Sequence, residues 1–252
     1  MIEHTLADGI ATLRLASPAS ANALTPAAYA ELARQLQALL RPDSGARVLV
    51  LTGSGRVFSA GANLDVLGST DTSSLADAIV ASLLPVQRAL ADSALPTIAA
   101  VNGTAVGGAV GLALMCDFVM AARSARFSLA FARLGLVPDT GLTQTLPRLV
   151  GEARARAWLM AGAQLSADEA ASAGMIYRAI DDADFDHETL ALARRLAALP
   201  SGAHRLTRAS IVAGRENSAE AQLRLEAAQQ ASRVTSDEFR TALAAFAARR
   251  KG

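Results

Sequence analysis

Short apolar runs alternate with helical stripes over roughly the first three-quarters of the chain; the rest is helical stripe alone. Val48 to Thr52 and Thr97 to Val101 are unbroken apolar runs, the pattern of strands buried on both faces. Glu3–Leu6 and Ile10–Leu15 flank Asp8-Gly9, which predicts a hairpin. Thr25 before Pro26 predicts a capped helix with Tyr29, Leu32, Leu36 and Leu39 or Leu40 on its apolar face. Leu75 to Ala91 reads as a helix kinked at Pro85. Gly68 to Ser74, rich in Ser, Thr and Asp, reads as a mobile loop.

Further on, Phe118–Ala122, Arg126–Ser128 and Ile176–Ile180 predict short strands, and Asp139-Thr140-Gly141 opens a helix through Leu146. Ser166 and Glu169 form a capping box for a helix that stops at Gly174. From about His187 four helices follow, over 187–199, 202–214, 218–233 and 236–250, with a second capping box at Thr235–Glu238. The pattern predicts an α/β body over 1–186 and a helical region over 187–252.

The chemistry concentrates in Val101–Asp117. The strand ending at Val101 runs through a glycine-bearing loop into a helix apolar on nearly every side, so the helix is buried. Gly107 and Gly108 stand at its first turn, where amides have no intrahelical partner and another group can approach the backbone. Such a turn suits a developing oxyanion, and equally suits tight strand-to-helix packing with no chemistry. A second strand–loop unit, Val48–Gly53 followed by Arg56–Asp65, could offer another amide to the same oxygen.

Composition narrows the class. A chain of 252 residues with 52% hydrophobic and 19% charged residues reads as globular, and its net charge of +1 predicts no nucleic-acid footprint. The single cysteine, Cys116, excludes an internal disulfide and reads as core. Met1-Ile2-Glu3-His4 has no signal-peptide character, and glycines and Asn102 interrupt the apolar stretch Thr97–Leu114, so a cytoplasmic location without membrane contact is expected. His4, His187 and His204 have no metal-ligand spacing, and no nucleophile elbow or Walker loop is present.

Three motifs carry a resemblance. Phe58-Ser-Ala-Gly-Ala-Asn-Leu-Asp65, Ala100-Val-Asn-Gly followed by Gly107-Gly108, and Leu134-Gly-Leu-Val-Pro-Asp-Thr-Gly141 are similar to the enoyl-CoA hydratase/isomerase (crotonase) superfamily. The likeness covers almost the whole chain. It is nearest to the ring-epoxide isomerase type of phenylacetate breakdown, in the run Ala130–Asp139. It implies a crotonase-like spiral of ββα turns and C-terminal helices packed in a homotrimer or a dimer of trimers. It also implies an acyl-CoA substrate whose coenzyme A is the only cofactor-like group, with no metal or redox cofactor.

Residue by residue, the resemblance assigns the oxyanion amides to Ala62 and Gly108. Hydratases of the family carry two glutamates, and the matching positions here are Gly111 and Phe131, neither able to move a proton. One acid remains, Asp139, matching the acid of family isomerases. An isomerase needs only one carboxylate, which takes a proton from C2 of the acyl group and returns it at C4. From the residues alone Asp139 also reads as a helix N-cap. The loop Ser59, Ala60, Gly61, Asn63 and Leu64 would flank coenzyme A, with Asn63 equally a turn residue. Phe131 would be among the residues that bind the substrate or its coenzyme A. Phe246 and Arg249 match an aromatic–basic pair that reaches coenzyme A, against the plainer reading of a core ring and a solvated helix end. Asp65 reads as a loop brace, Arg208 as surface charge and Asn102 as a turn former. The implied activity is double-bond movement in an enoyl-CoA. The alternatives are hydration, thioester hydrolysis or decarboxylation on the same scaffold, or a non-catalytic acyl-CoA-binding paralogue.

Overall fold

The computed structural model describes residues 2–69, 71 and 73–249, and within these the side chains of Pro42, Leu67, Ser69 and Arg249 are left undescribed. The chain opens with the hairpin β1 (Ile2–Ala7) and β2 (Ile10–Leu15), then α1 (Pro26–Leu39). Next come β3 (Val48–Gly53), β4 (Val57–Ser59), α2 (Leu64–Ser69) and α3 (Leu75–Ala91). Then follow β5 (Thr97–Val101), β6 (Thr104–Val106), α4 (Gly108–Leu114), β7 (Phe118–Ala122) and β8 (Arg126–Ser128). A short 3-10 turn over Ala130–Leu134 leads to α5 (Leu142–Val150), α6 (Glu152–Met160), β9 (Gln164–Ser166), α7 (Ala167–Ser172) and β10 (Arg178–Ile180). Four helices close the chain: α8 (Phe185–Ala197), α9 (Ser201–Ala213), α10 (Ala219–Val234) and α11 (Asp237–Arg249).

The strands deal alternately into two sheets. β3, β5 and β7 go to a six-stranded sheet ordered β1-β2-β3-β5-β7-β10, while β4, β6 and β8 go to a four-stranded sheet ordered β4-β6-β8-β9. Each turn of chain thus lays one strand in each sheet before its helical return, which is the ββα spiral. Pairing from β2 through β10 in the larger sheet is parallel. Every residue of β3 and β5 is buried. Fully burying a Val, Leu or Ile in such a strand contributes about 1.5–3 kcal/mol.

Local chemistry explains the starts and stops. Thr25 accepts a hydrogen bond from the Ala28 amide and Pro26 opens α1. Ser166 and Glu169 form both arms of the capping box on α7. The second capping box does not form. Ser236 does accept from the Phe239 amide, but the Glu238 carboxylate turns away to Ser201, the Gly202 amide and Arg233, clipping α11 to α9. Gly68 and Ser69 belong to α2 rather than to a loop, and Thr70 and Thr72, also in that stretch, lie outside the described residues.

The helical end does not leave the body at once. α8 buries Phe185, Leu192, Ala193 and Leu196 and contacts β2, β3 and β7. α9 and α10 bury no residue of their own, and apolar side chains stand exposed on them and on α11, among them Ile211, Leu223, Leu243 and Phe246. Arg208 is no surface charge: its guanidinium grips Asp117 and the Ser93 and Leu95 carbonyls, fastening α9 to the sheet. No helix among the described residues is long and apolar enough to cross a membrane.

Candidate active site

Parallel pairing of β4 with β6 sends both strand ends out on the same side, with Ser59 opposite Ala105. The loop after β4 therefore lies against the start of α4. Gly61 has φ +81°, and a Cβ there would collide with the Val106 carbonyl while standing 3.5 Å from the Gly108 nitrogen. Only a glycine lets the two loops come so close.

Hydrogen bonding leaves two amides free. Leu24 pairs with Ala62 as an isolated parallel bridge, through Leu24 N–H to Gly61 O (2.7 Å) and Asn63 N–H to Leu24 O (3.1 Å). Those bonds use the neighbours of Ala62 and leave its own amide facing away from Leu24. Gly107, at φ +54°, is the N-cap of α4, so the Gly108 amide belongs to the unpaired first turn. Neither the Ala62 nor the Gly108 amide has a hydrogen-bond partner among the described residues.

Buried side chains hold this pair of loops. Asn22, at 2% exposure, donates to the Ser54, Val57 and Phe58 carbonyls and accepts from the Ser17 amide. Ser59 is fully buried, donating to the Asn22 carbonyl (2.8 Å) and accepting from the Gly61 amide (3.1 Å). Asn102 accepts from the Gly53 amide and donates to the Gly55 carbonyl, shaping its turn as expected.

A cavity of about 90 Å³ opens beside the two amides. Ala62 and Gly108 line it, with Asn63, Val66, Leu24, Pro26, Tyr29 and Asp139, and one face of α3 closes it through Leu75, Ala78, Ile79, Ser82 and Leu83. Among the described residues Asp139 is its one carboxylate. Oδ1 of Asp139 is buried without a hydrogen-bond partner, 3.4 Å from where a Cβ on Gly108 would stand. Burial raises the Asp139 carboxyl above its ordinary value, against weaker opposing pulls from Thr140 and its own backbone. The N-cap alternative fails: Gly141 is the N-cap of α5, with no side-chain cap. The Asp139 carbonyl, not its carboxylate, accepts from the Leu142 amide.

Tyr29 was expected only as part of the apolar face of α1, yet its phenol reaches the cavity, 3.7 Å from that same Cβ position on Gly108. Burial first, and then the Asp139 charge, push the phenol well up, so it stays protonated and can donate. The signal was available, because a tyrosine on a core face needs an outlet for its hydroxyl. The α3 face was missed as well, although Leu75, Ala78, Ile79, Ser82 and Leu83 recur at helical spacing.

The other expected residues divide. Asn63 lines the cavity, and its side chain accepts from the Val66 amide as a turn residue does. Ala60 and Leu64 flank the loop, with Leu64 exposed and Asp65 exposed behind it. Phe131 is buried with its ring behind Gly107 and does not line the cavity. Phe246 stands exposed on α11 away from the cavity lining, and the Arg249 side chain lies outside the described residues. Burial pushes the Cys116 thiol up to about 12, which makes it a poor nucleophile. No cluster of three or more His, Cys, Asp or Glu side chains suited to a metal occurs among the described residues.

Comparison with known proteins places this arrangement. A family model described as enoyl-CoA hydratase/isomerase matches residues 5–252. The chain is 40% identical over 249 residues to a Rhodobacter capsulatus protein named as an enoyl-CoA hydratase, covering 99% of this chain and 95% of that one. It is 39% identical over 245 residues to the 1,2-epoxyphenylacetyl-CoA isomerase of Escherichia coli K12, covering 96% and 93%. A solved structure from Thermobifida fusca YX, titled as an enoyl-CoA hydratase in complex with acetoacetyl-CoA, superposes with a TM-score of 0.85 at 30% identity, covering 92% and 94%. The similarity runs from the hairpin to the last helix, and the chain belongs to the enoyl-CoA hydratase/isomerase family of the crotonase superfamily.

Proposed function

We propose that this enzyme moves a double bond in an enoyl-CoA thioester, with Asp139 as its single base and the Ala62 and Gly108 amides as the oxyanion donors. The observation that carries the reading is the solitary Asp139 carboxylate in the cavity, with Oδ1 buried and unpartnered close to Gly108. The ionised acid takes a proton from C2 of a 3-enoyl thioester. The electrons spread into a dienolate whose oxygen lies between the two amides, each worth roughly 3–4 kcal/mol in the transition state. The protonated acid then returns the proton at C4, leaving a 2-enoyl thioester and an ionised Asp139.

Hydration requires a group that activates water and a proton for the carbon. Gly111 and Phe131 supply neither. The tautomer shift needs only the acid and two amides, so coenzyme A enters as part of the substrate and no metal or redox cofactor is required. The loop Ser59–Leu64 would lie along the coenzyme A chain, and the acetoacetyl-CoA complex of the Thermobifida fusca relative supports a thioester ligand. The exposed apolar faces of α9, α10 and α11 support association of subunits, which we read as a homotrimer or a dimer of trimers in which Phe246 reaches a neighbouring site.

The test supplies 3-enoyl-CoA and 2-enoyl-CoA separately to wild type and Asp139→Asn, following double-bond position, 3-hydroxyacyl-CoA and free thiol. Double-bond movement in wild type, reduced at least about a hundredfold in the variant, is expected. Hydration or thiol release as the dominant reaction would overturn the reading.

A further inference from the structure

Thr140, next to the proposed base, holds φ +55°, a left-handed conformation that β-branched residues seldom adopt. It is also buried, at 7% exposure. Strain of this kind persists only where the surroundings enforce it. Here the enforcing surface is α4. Gly108 and Gly111 are three residues apart and share one helix face. The Thr140 side chain lies across both: its Cγ2 is 3.2 Å from where a Cβ on Gly108 would stand. A Cβ on Gly111 would overlap the Thr140 hydroxyl and stand 2.6 Å from the Thr140 Cβ.

The same residue is tied to its neighbour. The Thr140 hydroxyl donates to the Asp139 carbonyl at 2.7 Å, and the Leu142 amide donates to that carbonyl at 3.0 Å. The Asp139 backbone is therefore held on two sides while the residue lines the cavity, its Oδ1 without a hydrogen-bond partner among the described residues.

We propose that Thr140 is the positioning residue of the site: keyed over Gly108 and Gly111, it aims the Asp139 carboxylate at the acyl carbon beside the Gly108 amide. It also fills the space above position 111, so no side chain can be placed there without expelling it. The inference rests on Asp139 being the base.

Five variants of the full chain, Asp139→Asn alone among them, decide it, with kcat and KM for 3-enoyl-CoA isomerisation and thermal melting as readouts. Thr140→Gly removes the key and relieves the left-handed strain. It is expected to keep the fold and KM while kcat falls by about ten- to a hundredfold, the loss for a reacting group displaced by about 1 Å. Thr140→Ser keeps the hydroxyl and restores most of kcat. Gly111→Ala, which drives Thr140 out from the other side, repeats the kcat loss should Thr140→Gly not fold. The double variant Thr140→Gly with Asp139→Asn is no slower than Asp139→Asn alone, because both changes remove one function. Full turnover in Thr140→Gly or in Gly111→Ala, with Asp139→Asn inactive, overturns the positioning role alone. Additive losses in the double variant, or equal losses in kcat and stability with no rescue by serine, overturn it too. Full turnover in Asp139→Asn removes the reading beneath it.

Discussion

Gly61 presses its α-carbon toward Gly108 so closely that a Cβ would stand 3.5 Å from the Gly108 nitrogen and inside the Val106 carbonyl. The two loops meet because β4 and β6 run parallel and end together. Gly61→Ala would force a side chain into a left-handed position, which alone costs about 1–2 kcal/mol, and would push the loops apart. The expected result is a lower melting temperature and a fall in kcat/KM of at least about tenfold, since one displaced oxyanion donor costs 10²–10³. Thermal melting and steady-state kinetics on one preparation check both.

Asp139 links stability to pH in a defined direction. Burial raises its carboxyl in the folded protein, so the folded state holds the proton more tightly than the unfolded chain. Stability from this group is fully present below the ordinary aspartate value of about 3.9. It is lost as pH rises through the raised folded value and remains lost at neutrality. Asp139→Asn is therefore expected to melt higher than wild type at neutral pH, with the advantage shrinking toward acid. In wild type, kcat/KM rises with pH as the acid ionises, with its midpoint above the ordinary value. A variant less stable than wild type at neutral pH contradicts this.

Asn22 is the buried brace of the N-terminal loop, with three carbonyls on its amide nitrogen and φ +56°. Asn22→Ala leaves several buried groups unpaired, at about 1–3 kcal/mol for each unsatisfied group. A loss of about 3 kcal/mol in denaturant unfolding is expected, with reduced acyl-CoA affinity because the Ser54, Val57 and Phe58 carbonyls lose the donor that holds the loop after β4.

Arg208 and Asp117 meet at 2.5 Å with side chains 15% and 23% exposed. Arg208→Ala leaves Asp117 to its Thr97 contacts and strips the Ser93 and Leu95 carbonyls of a donor. Discounted for partial exposure, a cost of about 2–3 kcal/mol is expected. Urea unfolding measures it. KM stays near wild type, because neither residue lines the cavity.

The elements that announced themselves were those with local chemistry: the Thr25-Pro26 start, the Ser166–Glu169 box and the unbroken apolar run of β3. β4, β6 and β9 are three residues each and set beside glycines that read as loop, and α6 carries no clear apolar stripe. Thr235–Glu238 misled because Glu238 found other partners, Arg233 just before it and Ser201 on α9. At the site, Asp139, Ala62 and Gly108 were legible through motifs and do share one cavity. The wedge of Thr140 over Gly111 was not legible, because it joins residues 29 positions apart through a backbone angle that composition does not reveal. Phe131 looked like a pocket residue by position, but its ring turned behind Gly107.

In the proposed reaction one acid carries one proton from C2 to C4. A 3-enoyl-CoA labelled with deuterium at C2, turned over once in ordinary water and read by NMR, follows that proton directly. Wild type is expected to deliver part of the label to C4, and Asp139→Asn none. Complete absence of label at C4 in the wild-type product, or undiminished transfer in Asp139→Asn, would contradict it.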